Sequence, residues 1–182
     1  MASAPPQRRP VLSVIGNGTP LAQDVEALCE ELGRRAIEAG YRIASGGLGG
    51  VMAAVSRGAH QASSYREGDV LGILPTYDGD SANPHVDVVI PTGIGWARNL
   101  LVVASADVVV AVGGGSGTLS ELAFAWQLQK PIIAMATAPG WSAKLGGSAL
   151  DHRERPPVMA AQNAAEAIER ALEVAPCVYS AP

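Results

Sequence analysis

The sequence predicts a Rossmann-like α/β fold, an open parallel sheet with helices on both faces. Short runs rich in β-branched residues alternate with segments of helical periodicity, which is the pattern of βαβ units. Glycine-rich turns follow three of these runs, where the strands of such a sheet would end. We expect one domain over residues 11–175, a disordered leader over residues 1–10 and a tail over residues 176–182.

The expected elements follow in order along the chain. The predicted strands are residues 11–15, 41–44, 70–74, 86–90, 108–112 and 132–136, the last taken as the final strand. The predicted helices are one opened by Thr19 and Pro20 and closed by Gly40, then residues 51–62, 97–105, 119–129 and 161–174. The segment 137–148 is too rich in glycine and small residues to predict an element, and it is expected to fold over an edge or pocket.

Composition favours a small-molecule ligand. The 182 residues carry a net charge of −4, so nothing attracts nucleic acid or an acidic membrane surface, and neither is expected as a partner. No apolar run approaches the roughly 20 residues that span a bilayer. Cys29 and Cys177 lack a CxxC spacing, which favours reduced thiols and a cytoplasmic location. The three histidines show no metal-ligand spacing, so no metal site is expected.

Three glycine-rich turns are the strongest functional signal: GNGTP at residues 16–20, GGLGG at 46–50 and GGGSGT at 113–118. Turns at the carboxyl ends of parallel strands line a common crevice, and a helix after each turn would offer unpaired N–H groups to a phosphate. Singly, each turn could be a tight connection without a ligand. The predicted ligand-binding residues here are Gly16, Gly18, Gly46, Gly47, Gly50, Gly114, Gly115, Ser116, Gly117 and Thr118.

Two common nucleotide motifs do not fit these turns. The dinucleotide fingerprint needs a third glycine where Leu21 stands and an acidic residue where Ser45 stands, which disfavours NAD. A Walker loop needs a lysine before its serine or threonine, and none of the three turns contains one. A kinase or ATPase of that class is therefore not expected.

Three side chains near the third turn have both a functional and a structural interpretation. Glu121 could contact a ligand or could complete a capping box with Thr118 as N-cap. Arg98 could be an exposed first-turn residue paired with an acid, but a cation at a helix start opposes the helix dipole, which favours a role in holding an anion. Trp96 could stack on a flat ligand ring or serve as a packing staple.

Two motifs and an arginine resemble the LONELY GUY superfamily, whose members were long mislabelled as lysine decarboxylases. GGGSGTLSE at residues 113–121 resembles the family motif PGGxGTxxE, and SGGLGGVMAA at residues 45–54 resembles GGGxxGLMG. The WARNLL segment, residues 96–101, is similar to the helix start of the branch that contains molybdenum cofactor carrier proteins. The resemblance covers residues 11–136.

The resemblance implies two alternative functions. In the phosphoribohydrolase branch the GGxGT backbone holds the phosphate of a nucleoside 5′-monophosphate, which would assign this role to Gly114, Gly115, Gly117 and Thr118. That branch cleaves the N-glycosidic bond, and its motif glutamate and helix arginine correspond to Glu121 and Arg98, the catalytic candidates. The carrier branch instead implies binding of a phosphorylated, pterin-like cargo such as the molybdenum cofactor, with no cofactor required by the protein itself. A homo-oligomer, dimer or tetramer, is also implied.

Departures from the hydrolase pattern favour the carrier interpretation. Gly113 stands where the hydrolase branch has proline, and Trp96 to Asn99 replace its His-Glu-Arg-Lys sequence. Glycosidic cleavage passes through a cationic sugar that needs carboxylate stabilisation and an activated water, and Glu121 alone supplies part of that. We therefore expect a binding or carrier protein, with a phosphoribohydrolase as the alternative and a ligand-sensing module as a third option.

Overall fold

A seven-stranded, wholly parallel sheet forms the centre of the protein, as described for residues 8–177 in a computed structural model. The strands are β1 (Val11–Gly16), β2 (Arg42–Ser45), β3 (Val70–Leu74), β4 (Val88–Pro91), β5 (Val108–Val112), β6 (Ile132–Met135) and β7 (Met159–Ala161). Their order across the sheet is β4-β3-β2-β1-β5-β6-β7. The predicted open parallel α/β sheet is confirmed.

Helices cover both faces of this sheet. They are α1 (Gln23–Glu38), α2 (Val51–His60), α3 (Arg98–Ala104), α4 (Ser116–Gln127), α5 (Trp141–Leu145) and α6 (Ala164–Val174), with a 3₁₀ turn at Gly95–Ala97. One buried cluster joins α1, α2 and α6 to one face, and a second joins α3 and α4 to the other. Within residues 8–177, no helix is both long and apolar enough to cross a membrane.

The order of the strands creates a crevice beside β1. The chain runs from β1 outward to β4 on one side and then returns to β5 on the other side of β1. In the pairing of β1 with β5, Leu12 lies opposite Val108 and Gly16 lies opposite Val112. The connections after β1 and β5 therefore leave on opposite faces, and their carboxyl ends stay open between them. This topological switch point is where an open α/β sheet binds its ligands.

Several helix starts differ from the sequence prediction. The last helix begins at Ala164 rather than at residue 161, which belongs to β7. The first helix begins at Gln23 rather than at Thr19 and Pro20, and its N-cap Ala22 makes no side-chain cap. Helix α4 begins at Ser116, with Gly115 as N-cap, so Ser116 to Thr118 belong to its first turn and not to a loop. The capping box with Thr118 as N-cap is wrong for the same reason.

The sheet also extends further than predicted. Met159–Ala161 pairs with β6 as a seventh strand, so β6 is not the last. Three residues are too few to show a period, which is why the pattern gave no signal. Segment 137–148, predicted to lack regular structure, contains α5, whose Trp141 N and Ser142 N donate to the carbonyls of Gly114 and Gly113.

The predicted leader and tail fall mostly on residues outside the described range. Of the leader, residues 1–7 lie outside it, whereas Arg8 and Arg9 contact the domain. Arg8 Nη2 lies 2.7 Å from Asp107 Oδ1, and Arg9 Nε donates to the Gly40 carbonyl at 3.1 Å. Asp107 also accepts from Val11 N at 2.8 Å, which ties the start of β1 to the turn before β5.

Helices α1 and α2 meet at two glycines with almost no space between their backbones. A Cβ at Gly33 would lie 2.0 Å from the Val55 carbonyl oxygen, and one at Gly58 would lie 1.9 Å from the Glu30 carbonyl oxygen. Glycine normally weakens a helix interior by about 1 kcal/mol relative to alanine. Here the close packing of the two helix backbones, which only glycine allows, outweighs the lower helix propensity of glycine.

We predict that Gly33→Ala destabilises the protein by about 1–3 kcal/mol, although alanine is the better helix former. The new methyl group would separate α1 from α2. Ala27→Gly, at an exposed position of the same helix, measures the propensity effect alone and should cost no more than about 1 kcal/mol. Urea unfolding of both variants checks this; a Gly33→Ala protein more stable than wild type would contradict it.

Candidate functional site

A cleft of about 360 Å³ opens at the carboxyl ends of β1 and β5. Parts of all three glycine-rich turns line it, so the predicted convergence of the turns is observed. The lining residues include Gly16, Asn17, Gly18, Thr19, Gly46, Leu48, Met52, Trp96, Arg98, Asn99, Gly115, Ser116, Gly117, Thr118 and Glu121. A cavity of this size accommodates a small organic molecule.

The third turn offers a helix start with free amides to the cleft. The first intrahelical bond of α4 runs from Leu119 N to the Gly115 carbonyl, and no side chain caps the helix. By helix geometry, the N–H groups of Ser116, Gly117 and Thr118 therefore have no partner within the helix. Their partial positive charge adds to that of the helix dipole.

The other two turns do not open helices in this way. Val51 N, at the start of α2, already donates to the Asn17 carbonyl at 2.9 Å. Helix α1 begins only at Gln23, well beyond the first turn. The expectation that each turn precedes a helix with unpaired amides is thus wrong for the first turn. At the second turn it holds in part, because Met52 N and Ala53 N precede the first intrahelical bond of α2, from Ala54 N to the Gly50 carbonyl. Residues of both turns line the walls of the cleft.

The glycines of the third turn divide into two groups. Gly113 and Gly114 have φ values of +61° and +102°, in the left-handed region that other residues rarely adopt, and a Cβ on Gly114 would lie 2.4 Å from Thr118 Cβ. Gly115 has an ordinary φ of −98°, and a Cβ there would meet nothing within 4 Å. The fold therefore explains the first two glycines but does not require the third.

Three predicted ligand-binding glycines do not line the cleft. Gly47 packs against β3, where a Cβ would lie 2.8 Å from the Leu74 side chain. At Gly50 a Cβ would lie 2.2 Å from the Asn17 carbonyl oxygen. Gly114, as above, packs against Thr118. These three allow the turns to approach one another.

Arg98 and Glu121 face each other across the floor of the cleft. Arg98 Nη1 lies 3.8 Å from Glu121 Oε1, and both side chains are more than nine-tenths buried. The guanidinium lies over Gly46, where a Cβ would be 2.1 Å from Arg98 Nη1. Glycine in the second turn therefore makes the space in which the guanidinium sits.

Hydrogen bonds to protein do not hold either member of this pair in the described structure. Within the described part of the chain, neither side chain makes a hydrogen bond to protein, so their polar atoms face the cleft. Burial raises the pKa of Glu121 to about 7, an effect that Arg98 opposes. Burial likewise lowers the pKa of Arg98. The floor thus holds a permanent cation beside an acid that titrates near neutral pH.

Trp96 stands at the mouth of the cleft and is 81% exposed. This exposure excludes the packing-staple interpretation. Its ring lies against the first turn of α4, where a Cβ on Gly117 would be 3.7 Å from Trp96 Cζ3. An aromatic face is therefore available beside the free amides.

Sequence reasoning missed two polar side chains of the cleft. Asn99 is buried and donates through Nδ2 to Ser120 Oγ at 3.0 Å, which links α3 to α4. Asn17 Oδ1 is buried and has no hydrogen-bond partner in the described structure. Asn99 directly follows Arg98, and Asn17 lies within the first glycine turn. Their positions beside predicted site residues could have identified both.

The histidines lie outside the cleft. His60 stacks on Tyr65 and its Nε2 lies 3.3 Å from Asp87 Oδ1. Across residues 8–177, no three His, Cys, Asp or Glu side chains are grouped so as to hold a metal ion.

Known structures with this architecture include molybdenum cofactor proteins. The molybdenum cofactor binding protein of Rippkaea orientalis is 32% identical, with a TM-score of 0.79 over 92% of this chain and 98% of its own. The molybdenum cofactor carrier protein of Chlamydomonas reinhardtii is 30% identical, with a TM-score of 0.77 over 91% and 98%.

Sequence comparison extends the same relationship. An uncharacterized protein of Archaeoglobus fulgidus is 36% identical over 124 residues, 68% of this chain and 78% of its own length. The profile of the SLOG cluster4 family matches residues 9–168, which include the whole cleft. The predicted relationship to the LONELY GUY-like superfamily, on the side of the molybdenum cofactor carriers, is confirmed. The chain belongs to the SLOG cluster4 family.

Proposed function

We propose that the cleft binds the phosphate group of a small, ring-containing molecule at the start of α4, as a carrier or binding protein. The observation that carries this proposal is Gly115. Its backbone is unstrained and its missing side chain would meet no protein atom, so the glycine keeps space open beside free amides. A phosphate at a helix start would accept hydrogen bonds from those amides.

The remainder of the cleft suits a flat ring. Trp96 offers an exposed indole face beside the first turn of α4, and aromatic rings stack in offset or edge-to-face arrangements. Besides the amides, Arg98 supplies a buried cation for oxygens of the same ligand. The cofactor bound by the Rippkaea and Chlamydomonas proteins makes a pterin-like cargo, the molybdenum cofactor, our first choice.

A nucleoside 5′-monophosphate phosphoribohydrolase is the alternative activity. Glu121 favours it, because a buried acid with a pKa of about 7 can exchange protons near neutral pH. Against it, Glu121 is the only acid among the described residues that line the cleft. A single carboxyl group cannot both stabilise a cationic sugar and activate water as efficiently as a pair.

The two functions are separated by incubation with AMP. As a carrier, the purified protein binds AMP or a related phosphate ester without releasing free base, because it lacks the second acid. Chromatography of the reaction mixture measures adenine and ribose 5-phosphate. Their appearance at a rate that Glu121→Gln abolishes would establish the hydrolase instead.

We predict that Gly115→Ala weakens phosphate-ester binding at least about tenfold while the midpoint of thermal unfolding stays unchanged. The new methyl group has room in the protein but occupies the space proposed for the phosphate. Gly79→Ala, in an exposed loop outside the cleft, is the matched control. Calorimetric titration with AMP checks both; wild-type affinity in Gly115→Ala would contradict the proposed site.

Anion affinity should fall as pH rises through 7. Below that pH Glu121 is protonated and Arg98 is free to attract an anion; above it the carboxylate neutralises Arg98 and repels the ligand. Sulfate is the suitable probe because it does not titrate in this range. We expect its affinity to drop about tenfold between pH 6 and pH 8 in wild type and to vary little in Glu121→Gln. Equal pH dependence in both proteins would exclude this role for Glu121.

A further inference from the structure

We propose a second small-molecule site, for an apolar ring that carries one carboxylate, at the amino ends of β6 and β7. A separate cavity of about 220 Å³ lies there, at the opposite end of the sheet from the cleft. Nothing in the proposed carrier function uses this cavity, so the inference is independent of it.

The walls of this cavity are apolar and stiff. Pro131 and Ile132 lead into β6, Val158 and Met159 lead into β7, and the Trp126 ring comes from the end of α4. Pro156 and Pro157 close one side, and their fixed φ angles limit the entropy lost when a ligand binds. Such walls suit a flat hydrocarbon body.

Two cations and no acid are among the described residues that line the cavity. Lys130 and Arg155 are both half-buried, and no Asp or Glu is among the lining residues. Among the ion pairs formed by residues 8–177, neither cation takes part in one. The cavity is therefore a positively charged pocket in a protein whose net charge is −4.

Backbone carbonyls hold the two cations in place but leave donors free. Lys130 Nζ donates to the Ala106 carbonyl at 2.6 Å, and Arg155 Nη1 donates to the Trp126 carbonyl. An ammonium group has three donors and a guanidinium has five, so each keeps N–H groups for an anion. Arg155 Cζ also lies over the Trp126 ring, 6.0 Å from its centroid, which places the charge beside the apolar wall.

The apolar walls and the two cations together indicate which class of ligand fits the cavity. A free phosphate would leave the apolar walls unused, and a neutral hydrocarbon would leave the remaining N–H donors of two half-buried cations without an anion. An aromatic monocarboxylate satisfies both, with its ring against Trp126 and the prolines and its carboxylate on Arg155 and Lys130.

The test is calorimetric titration of the full chain with 1-naphthoate, with the neutral 1-naphthalenemethanol as the matched control. We expect saturable binding of one naphthoate per chain and binding of the alcohol at least about tenfold weaker, since the alcohol lacks the charge-assisted bonds. No binding of naphthoate, or equal affinity for the alcohol, would overturn the proposal.

Three variants locate the bound naphthoate. Arg155→Gln should weaken its binding about tenfold, and Met159→Phe, which narrows the cavity without changing charge, should do the same. Arg98→Gln, in the cleft, should leave it unchanged. Unfolding midpoints of all three establish that each variant is folded. Binding that survives both cavity variants but is lost in Arg98→Gln would place the ligand in the cleft and overturn the proposal.

Discussion

The unpaired backbone amides at the start of α4 are the feature on which the rest of the site depends. The N–H groups of the first turn precede the first intrahelical bond, and within residues 8–177 the N-cap Gly115 supplies no side-chain cap. The β1–β5 switch point keeps this helix end open, because the connections on its two sides leave on opposite faces of the sheet. An anionic ligand at this helix start would accept hydrogen bonds from these amides.

The buried Arg98–Glu121 pair extends this arrangement across the floor of the cleft. At 3.8 Å the two groups are too far apart for a direct hydrogen bond, so their mutual attraction does not fully compensate for their burial. The raised pKa of Glu121 is a consequence of the unfavourable burial of its charged form. A ligand that offers an acceptor to Arg98 and a donor to Glu121 would stabilise both, which links burial to binding.

The sequence was sufficient for six of the seven strands and for the place of the cleft, because β-branched runs and glycine turns reflect local preferences directly. It was insufficient wherever a residue's role depends on packing. Thr118 and Glu121 fit a capping box in the sequence, yet Gly115 is the N-cap and Glu121 is buried in the cleft. Likewise Gly50 and Gly115 look alike in the sequence, but one is needed for backbone approach and the other faces open space. The short β7 depends on its pairing with β6 and left no period to detect.

Backbone amide NMR during a phosphate titration shows at which residues an anion binds. If the anion binds at the start of α4, the ¹H and ¹⁵N resonances of Ser116 and Gly117 will shift saturably as phosphate is added. Both shifts will give the same dissociation constant. Amides in the same protein that lie far from the cleft, such as that of Gly68, should not move. Saturable shifts confined to residues outside the start of α4, or the absence of any shift, would contradict an anion site at this helix start.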